Sequence, residues 1–293
     1  MQILSSIQGQ TKVCGIFGHP VGHSFSPVLQ NTLFRALQIP AVYTAFDVAP
    51  EHLPAAVQGA FAMGLWGLNI TIPHKKEVVA LLSGIDPLAA QIGAVNTLCR
   101  RENGFWGYNT DILGLKKCFA LHGHCLSQAQ VLVLGAGGAA NAAAFLAASE
   151  GASHLYLANR TRAKAEALAS QVQAHYPIPI TVCTLDDLSA LPKDLLVIQA
   201  TSVGMGTWES PVQDETFWQK ARFVVDIVYT PWETKTVHDA RAQGATAVNG
   251  FEMLIYQGIA SAELWHGLSV DDDTARTLCE ALANHYQNRK DTP

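Results

Sequence analysis

Two kinds of segment alternate along the chain. Residues 13–17, 42–48, 65–71 and 94–98 are short apolar runs of strand character. Between the first two, residues 28–38 place Leu29, Leu33, Phe34 and Leu37 on one helical face, and in the next interval Leu53, Val57 and Phe61 recur every four residues. Residues 104–108 read as a further short strand, and residues 112–121 as a helix ending near Gly123. The alternation then becomes more regular. Strands are predicted over 130–134, 154–158, 178–183, 195–199, 223–228 and 245–248, with helices from the turn after Leu134 to Glu150 and over 161–174. Residues 250–265 and 272–287 are purely helical in pattern. Strands alternating with helices predict an α/β fold with parallel pairing.

The strongest local signal is Val131-Leu-Val-Leu-Gly135-Ala-Gly137-Gly138-Ala139-Ala140. Four apolar residues make a buried strand, and a Gly-x-Gly-x-x-Ala turn opens a helix. Glycine permits the tight turn and lets backbone approach a pyrophosphate, while the helix N-terminus offers unpaired N–H groups and the positive end of its dipole. The second strand of this half ends in Asn159-Arg160-Thr161. An NAD site places an acid there for the ribose 2′-hydroxyl. None is present; Arg160 stands there instead, with Arg162 and Lys164 just beyond. A guanidinium stacks on adenine and pairs with a 2′-phosphate that an acid would repel, so the expected cofactor is NADP.

Composition narrows the class. At 293 residues the chain is long enough for two domains and a sizeable core. It is 49% hydrophobic and 15% charged, the opposite of a disordered chain. The net charge of −5, without a basic run, points away from nucleic acid and anionic membranes. Residues 1–6 have neither a basic start nor an apolar core and are not expected to be a signal peptide. Two long uncharged stretches, 53–73 and 118–149, are broken by glycine, proline or many alanines and read as buried structure, not membrane spans. Six cysteines without a C-x-x-C pair fit reduced thiols and a cytoplasmic location.

Polar residues gather at predicted strand ends. Gly22-His-Ser24-Phe-Ser26-Pro27 is dense in turn formers; Ser26 before Pro27 suits a helix N-cap, and the two hydroxyls beside a helix start can hold a carboxylate. In Asn69-Ile-Thr71-Ile-Pro-His-Lys75 a strand ends in Asn and Thr, Pro breaks it, and Lys75 is expected to open a helix. Gly93-Ala-Val-Asn96-Thr97 and Gly107-Tyr-Asn-Thr-Asp111 repeat the theme. Ligands of open α/β sheets sit beyond the carboxyl ends of strands, so these groups suggest one pocket.

Those four motifs, followed in order by the glycine turn, Asn159-Arg-Thr161, Ala200-Thr201-Ser202-Val-Gly204, Asp226-Ile-Val-Tyr229-Thr-Pro231, Gly250-Phe-Glu-Met253-Leu254 and Gln257-Gly258, resemble the shikimate dehydrogenase family, including its quinate/shikimate members. The resemblance spans nearly the whole chain. It implies reversible reduction of 3-dehydroshikimate to shikimate with NADPH, within chorismate and aromatic amino-acid biosynthesis. It also implies two domains: residues 1–111 with 250–293 for the substrate, the C-terminal helices returning to this part, and residues 112–249 as an inserted Rossmann-type NADP-binding domain.

Carried over motif by motif, the resemblance makes Lys75 and Asp111 the catalytic pair. Ser24, Ser26 and Tyr229 would bind the substrate carboxylate; Thr71, Asn96 and Gln257 would bind ring hydroxyls, with Asn69 supporting the pocket. Gly135, Ala136, Gly137, Gly138 and Ala139 would cradle the pyrophosphate. Asn159, Arg160, Thr161 and Lys164 would hold the 2′-phosphate end, and Thr201, Ser202, Gly250 and Met253 would complete the cofactor site, Met253 near the nicotinamide. An ammonium can both supply a proton and stabilise a developing alkoxide, and a carboxylate 4 Å away attracts it by about 4 kcal/mol at an effective dielectric near 20. Either member of the pair can be the one that transfers the proton. No metal is needed, and His122-x-His124 reads as a loop feature.

Two positions depart from the family pattern. Gln30 stands where many members have histidine, and Lys164 where an arginine often reinforces the 2′-phosphate site. The alternatives are a quinate/shikimate enzyme of broader range and a non-catalytic sensor of similar ligands. A methylenetetrahydrofolate-dehydrogenase-like enzyme lacks the serine motif. The expected state is a monomer or homodimer.

Overall fold

The computed structural model describes residues 7–288 and divides the chain into two compact units. One takes the chain up to Leu113 and from Ile255 onward; the other is Gly114–Leu254. The expectation about residues 1–6 lies outside the described residues.

The first unit opens with β1 (Lys12–Gly18), α1 (Ser26–Ala36), β2 (Ala41–Asp47), α2 (Leu53–Ala62) and β3 (Gly67–Ile70). β4 (Gly84–Ile85), α3 (Pro87–Ile92), β5 (Thr97–Arg101) and β6 (Gly104–Tyr108) follow. The sheet runs β2-β1-β3-β5-β6-β4. Only part of it obeys the parallel expectation: β1 is parallel to β2 and β3, but β5 is antiparallel to both β3 and β6. The cause is local. Arg101 pairs with Gly104, leaving two residues between the strands, and so short a link joins only antiparallel neighbours. Helix α3, not predicted, has plain signals: Asp86 caps it, accepting from the N–H groups of Leu88 and Ala89, Pro87 starts it, and Gly93 ends it at φ 68°.

The second unit contains most of α4 (Asp111–Leu121), then β7 (Gln130–Leu134), α5 (Gly138–Ser149), β8 (His154–Ala158), α6 (Arg162–Gln173) and β9 (Ile180–Cys183). β10 (Leu195–Gln199), β11 (Ala221–Asp226), α7 (Lys235–Ala242) and β12 (Thr246–Asn249) complete it. All pairs in its sheet are parallel, in the order β12-β11-β10-β7-β8-β9. Counted within the unit this is 3-2-1-4-5-6 read from the other edge, the doubly wound order whose switch point lies beside the first strand. Val131 to Leu134 are fully buried, as a strand covered on both faces requires. Helix α5 is buried from Ala140 to Ala148, and its alanines let it lie close to the sheet.

Two last helices, α8 (Phe251–His266) and α9 (Asp272–Asn288), bring the chain back to the first unit. The Trp265 ring lies where a Cβ on Gly67 would sit, 2.4 Å away, and its Nε1 donates to the Leu98 carbonyl at 2.9 Å. Tyr286 of α9 meets Phe25 edge-on at 5.2 Å. Among the described residues, no helix is long and apolar enough to cross a membrane.

Candidate active site and nucleotide cradle

Asp111 is the first residue of α4 and is buried. Its Oδ2 accepts from Lys75 Nζ at 2.6 Å, and its Oδ1 from Asn96 Nδ2 at 2.8 Å. Lys75 does not open a helix. It sits in the turn that precedes a short 3-10 helix, Glu77–Leu81, because Pro73 and the His74–Thr71 backbone bond fold the chain back before regular helix begins. The side chains of Lys75 and Asp111 are 23% and 12% exposed, so one edge of the ion pair reaches solvent.

A buried polar network fixes Asn96. Its Oδ1 accepts from the Thr110 N–H at 2.7 Å and the Thr97 hydroxyl at 3.0 Å; its Nδ2 also donates to Gln257 Oε1 at 3.4 Å. Below it, Asn69 Nδ2 donates to Thr97 Oγ1 and Ser261 Oγ, and Asn69 Oδ1 accepts from the Tyr43 hydroxyl at 2.7 Å. Burial pushes the Tyr43 hydroxyl well above its ordinary pKa, so it remains a donor. Thr97, Thr110, Ser261 and Tyr43 were not assigned roles from sequence. The first two sit inside motifs quoted above, and Ser261 is a small hydroxyl residue among the apolar Ile259, Ala260 and Ala262, a hint of an interior partner.

Ser24 is half-buried and Ser26 buried. Ser26 is not the N-cap of α1. Phe25 is, with Pro27 in the first turn, and it is Ser24 Oγ that accepts the Ser26 N–H at 3.2 Å. Thr71 is half-buried, its methyl 2.4 Å from where a Gly18 Cβ would stand. Gln257 is buried. Tyr229 lies in the other unit, edge-on to Phe251 at 6.2 Å. Gln30 is 1% exposed and donates to the Gly258 carbonyl at 2.8 Å, which ties α1 to α8 beside Gln257.

In the second unit the glycine turn follows the switch-point strand. Gly135 has φ +119°, and a Cβ there would press on Ala200 O at 3.0 Å. Gly137 forms the N-cap of α5 without any side-chain cap, and nothing lies within 4 Å of a Cβ at Gly137 or Gly138. Uncapped N–H groups facing open space fit a dinucleotide pyrophosphate. Ala136 and Ala139 flank them half-buried. Asn159 Nδ2 donates to Thr161 O, and Thr161 is the N-cap of α6 with no side-chain cap bond. Arg162 is engaged with Glu166 at 2.8 Å, but Arg160 and Lys164 are exposed and make no ion pair among the described residues. Two unpaired cations beside that strand end fit a 2′-phosphate better than a 2′-hydroxyl.

Thr201 is held by its N–H to Gln199 Oε1 and by its Oγ1, which accepts from the Val203 N–H; Ser202 is exposed. Gly250 approaches the Ile227 carbonyl so closely that a Cβ would lie 2.1 Å from it, and Met253 is buried. Beneath this segment Asp226 is buried and accepts from Thr234 Oγ1, the Val228 N–H and Gln199 Nε2. Burial nevertheless pushes its carboxyl up to about 7.

Two family models match: "Shikimate dehydrogenase substrate binding domain" over residues 16–98 and "Shikimate / quinate 5-dehydrogenase" over residues 118–232. A shikimate dehydrogenase (NADP(+)) of Halobacterium salinarum is 42% identical over 92% of this chain and 98% of its own length. The chain belongs to the shikimate dehydrogenase family. Solved members of that family share its architecture. The chorismate mutase/shikimate 5-dehydrogenase fusion protein of Clostridium acetobutylicum superposes with a TM-score of 0.86 at 34% identity, covering 94% of this chain and 99% of the other. The shikimate 5-dehydrogenase of Thermus thermophilus, in complex with NADP(H) and shikimate, gives 0.82 at 32% identity, over 92% and 99%.

Proposed function

We propose that this chain interconverts 3-dehydroshikimate and shikimate with NADP as its cofactor, an oxidoreductase acting on a CH–OH group in aromatic amino-acid biosynthesis. The observation that carries the reading is the Lys75–Asp111 ion pair, locked from behind by Asn96 and open on one edge. The turn over residues 135–139 at the start of α5 would hold the cofactor's pyrophosphate, and the cofactor would supply a hydride in its reduced form and take one in its oxidised form.

The chain's own residues manage the rest. Lys75 Nζ faces the substrate oxygen, donating a hydrogen bond that grows stronger as negative charge develops there. Asp111 orients the ammonium, and Asn96 orients Asp111 through its second oxygen. The pair holds the proton that leaves or joins that oxygen, and the open edge returns it to solvent. Ser24 and Ser26 take the carboxylate with Tyr229; Thr71, Asn96 and Gln257 take ring hydroxyls, and Asn69 braces them. Arg160, with Asn159, Thr161 and Lys164, takes the 2′-phosphate, and Thr201, Ser202, Gly250 and Met253 line the rest of the cofactor. None of the six cysteines is in a disulfide, which supports a cytoplasmic location, where the chain works as a monomer or homodimer.

Initial rates with shikimate and quinate, each crossed with NADP and NAD, test the reading. Shikimate with NADP is expected to dominate; turnover in none of the four pairs would reject it. Lys75→Ala should lower kcat about 10²–10⁴-fold, the range for loss of a positioned acid–base group, with little change in melting temperature.

A further inference from the structure

Outside the machinery just described, three ligand-type side chains of different chemistry meet within the second unit. Cys118 lies in the last turn of α4 and His122 directly follows its final residue, Leu121, a spacing of four that keeps the two side chains on one side. Glu252 is the second residue of α8. Its Oε2 lies 2.8 Å from His122 Nε2 and 3.6 Å from Cys118 Sγ, and all three ligand atoms fall within 4.8 Å of one another. Both His122 and His124 lie in the loop that follows α4, as expected; the one that meets Glu252 is His122. Its ring leans on Phe223, with centroids 5.2 Å apart, which fixes its orientation.

We propose that Cys118, His122 and Glu252 form a binding site for a borderline divalent cation of the zinc type. Zinc bonds of roughly 2.3 Å to sulfur and 2.0–2.2 Å to nitrogen and oxygen place tetrahedral ligand atoms about 3.4–3.6 Å apart. The sulfur–oxygen separation already has that value; the nitrogen–oxygen pair need open only by a fraction of an ångström. Charge closes as well. A thiolate and a carboxylate with a neutral imidazole balance a dication, and the Cys118 thiol gives up its proton to solvent as the metal binds. The thiolate selects against magnesium and calcium. Cys118 is buried, whereas the His122 and Glu252 side chains are 27% and 31% exposed, so the cation enters from their side and keeps its fourth position for water. None of the three is placed in the reaction machinery, so this site is a clamp joining the end of α4 to the start of α8.

The test uses the full-length protein, stripped with a chelator and titrated with Co²⁺ as a spectroscopic stand-in. One equivalent should bind with tetrahedral d–d bands and a thiolate-to-cobalt charge-transfer band, displaced by Zn²⁺ and unaffected by Mg²⁺. Cys118→Ser should abolish the charge-transfer band, and His122→Ala and Glu252→Gln should each weaken binding about tenfold or more. Cys125→Ser and His124→Ala should change nothing, and circular dichroism would verify that every variant is folded. Absence of the charge-transfer band in the native protein, its survival in Cys118→Ser, or its loss in Cys125→Ser would each overturn the assignment.

Discussion

Arg160 is a residue whose environment, more than its identity, gives it meaning. Arg162, two positions on, spends its charge on Glu166, while Arg160 has no such partner among the described residues. Arg160→Ala should therefore raise the KM for NADP about tenfold or more, the equivalent of one charge-assisted hydrogen bond of roughly 1.5–3 kcal/mol, and raise the KM for NAD much less, by the adenine stacking alone. Steady-state kinetics with both cofactors checks this. Asp226 makes the second prediction. Its folded carboxyl keeps a proton up to about 7, against 3.8 for an unshifted one. Folding thus takes up a proton between those values, and the stability this group lends is full below about 4 and lost as pH rises through 7. Asp226→Asn cannot ionise, and an amide can still accept from Val228 and Gln199. Relative to the native chain it should gain stability on the order of 4 kcal/mol between pH 4 and pH 8. Urea unfolding at the two pH values measures it; an unchanged gap would refute the shift. At this scale the sequence displayed the site's chemistry but not its supports. Lys75, Asp111 and Asn96 stand in compact motifs, whereas Ser261 reaches Thr97 and Thr110, the partners of Asn96, from more than 140 residues away, across a separation no local pattern encodes.

Elements repeat that division. Strands β7, β8 and β10 were legible to the residue, because a doubly covered strand is a plain apolar run between polar turns. β5 was misplaced, since Ala94 and Val95 are buried in the core ahead of the ladder and lend their apolar character to the wrong end of the strand. The return of α8 to the first sheet was not legible from periodicity at all; only the family motifs implied it. Its anchor is Trp265, packed on Gly67 and bonded to Leu98. Trp265→Ala should destabilise the first unit by about 3–5 kcal/mol, as large aromatic truncations in cores do, and chemical denaturation would show it.

For the whole molecule the consequence is that each of the two units has core residues of its own. One gathers Phe17, Leu68, Leu98 and Phe105, the other Leu132, Leu195, Trp218 and Val224. Unfolding need not be two-state. The proposed substrate residues other than Tyr229 belong to the first unit, and all the proposed cofactor residues belong to the second. Differential scanning calorimetry should accordingly show NADP raising one transition and shikimate the other, each by about 2.7 kcal/mol of stabilisation at a hundred times its Kd. A single transition that both ligands shift equally would contradict this. The nested arrangement was visible only through the order of motifs, since composition changes little where the chain passes from one unit to the other.

That nesting sets an order of events on the ribosome. When Leu113 emerges, Asn69, Thr97 and Thr110 are already made, but Gln257, Ser261 and Trp265 are about 140 residues away. At elongation speeds of roughly 5–20 residues per second, the gap lasts on the order of ten seconds. Throughout it, polar side chains meant for the interior lack their partners, and the groove reserved for Trp265 at Gly67 stands open. The inserted unit is finished while Lys75, Asp111 and Asn96, made before it, still wait for Gln257 and the rest of α8. A chain released before Gln257 is made would carry every proposed cradle residue but lack the α8 partners of Asn96, Asn69 and Leu98.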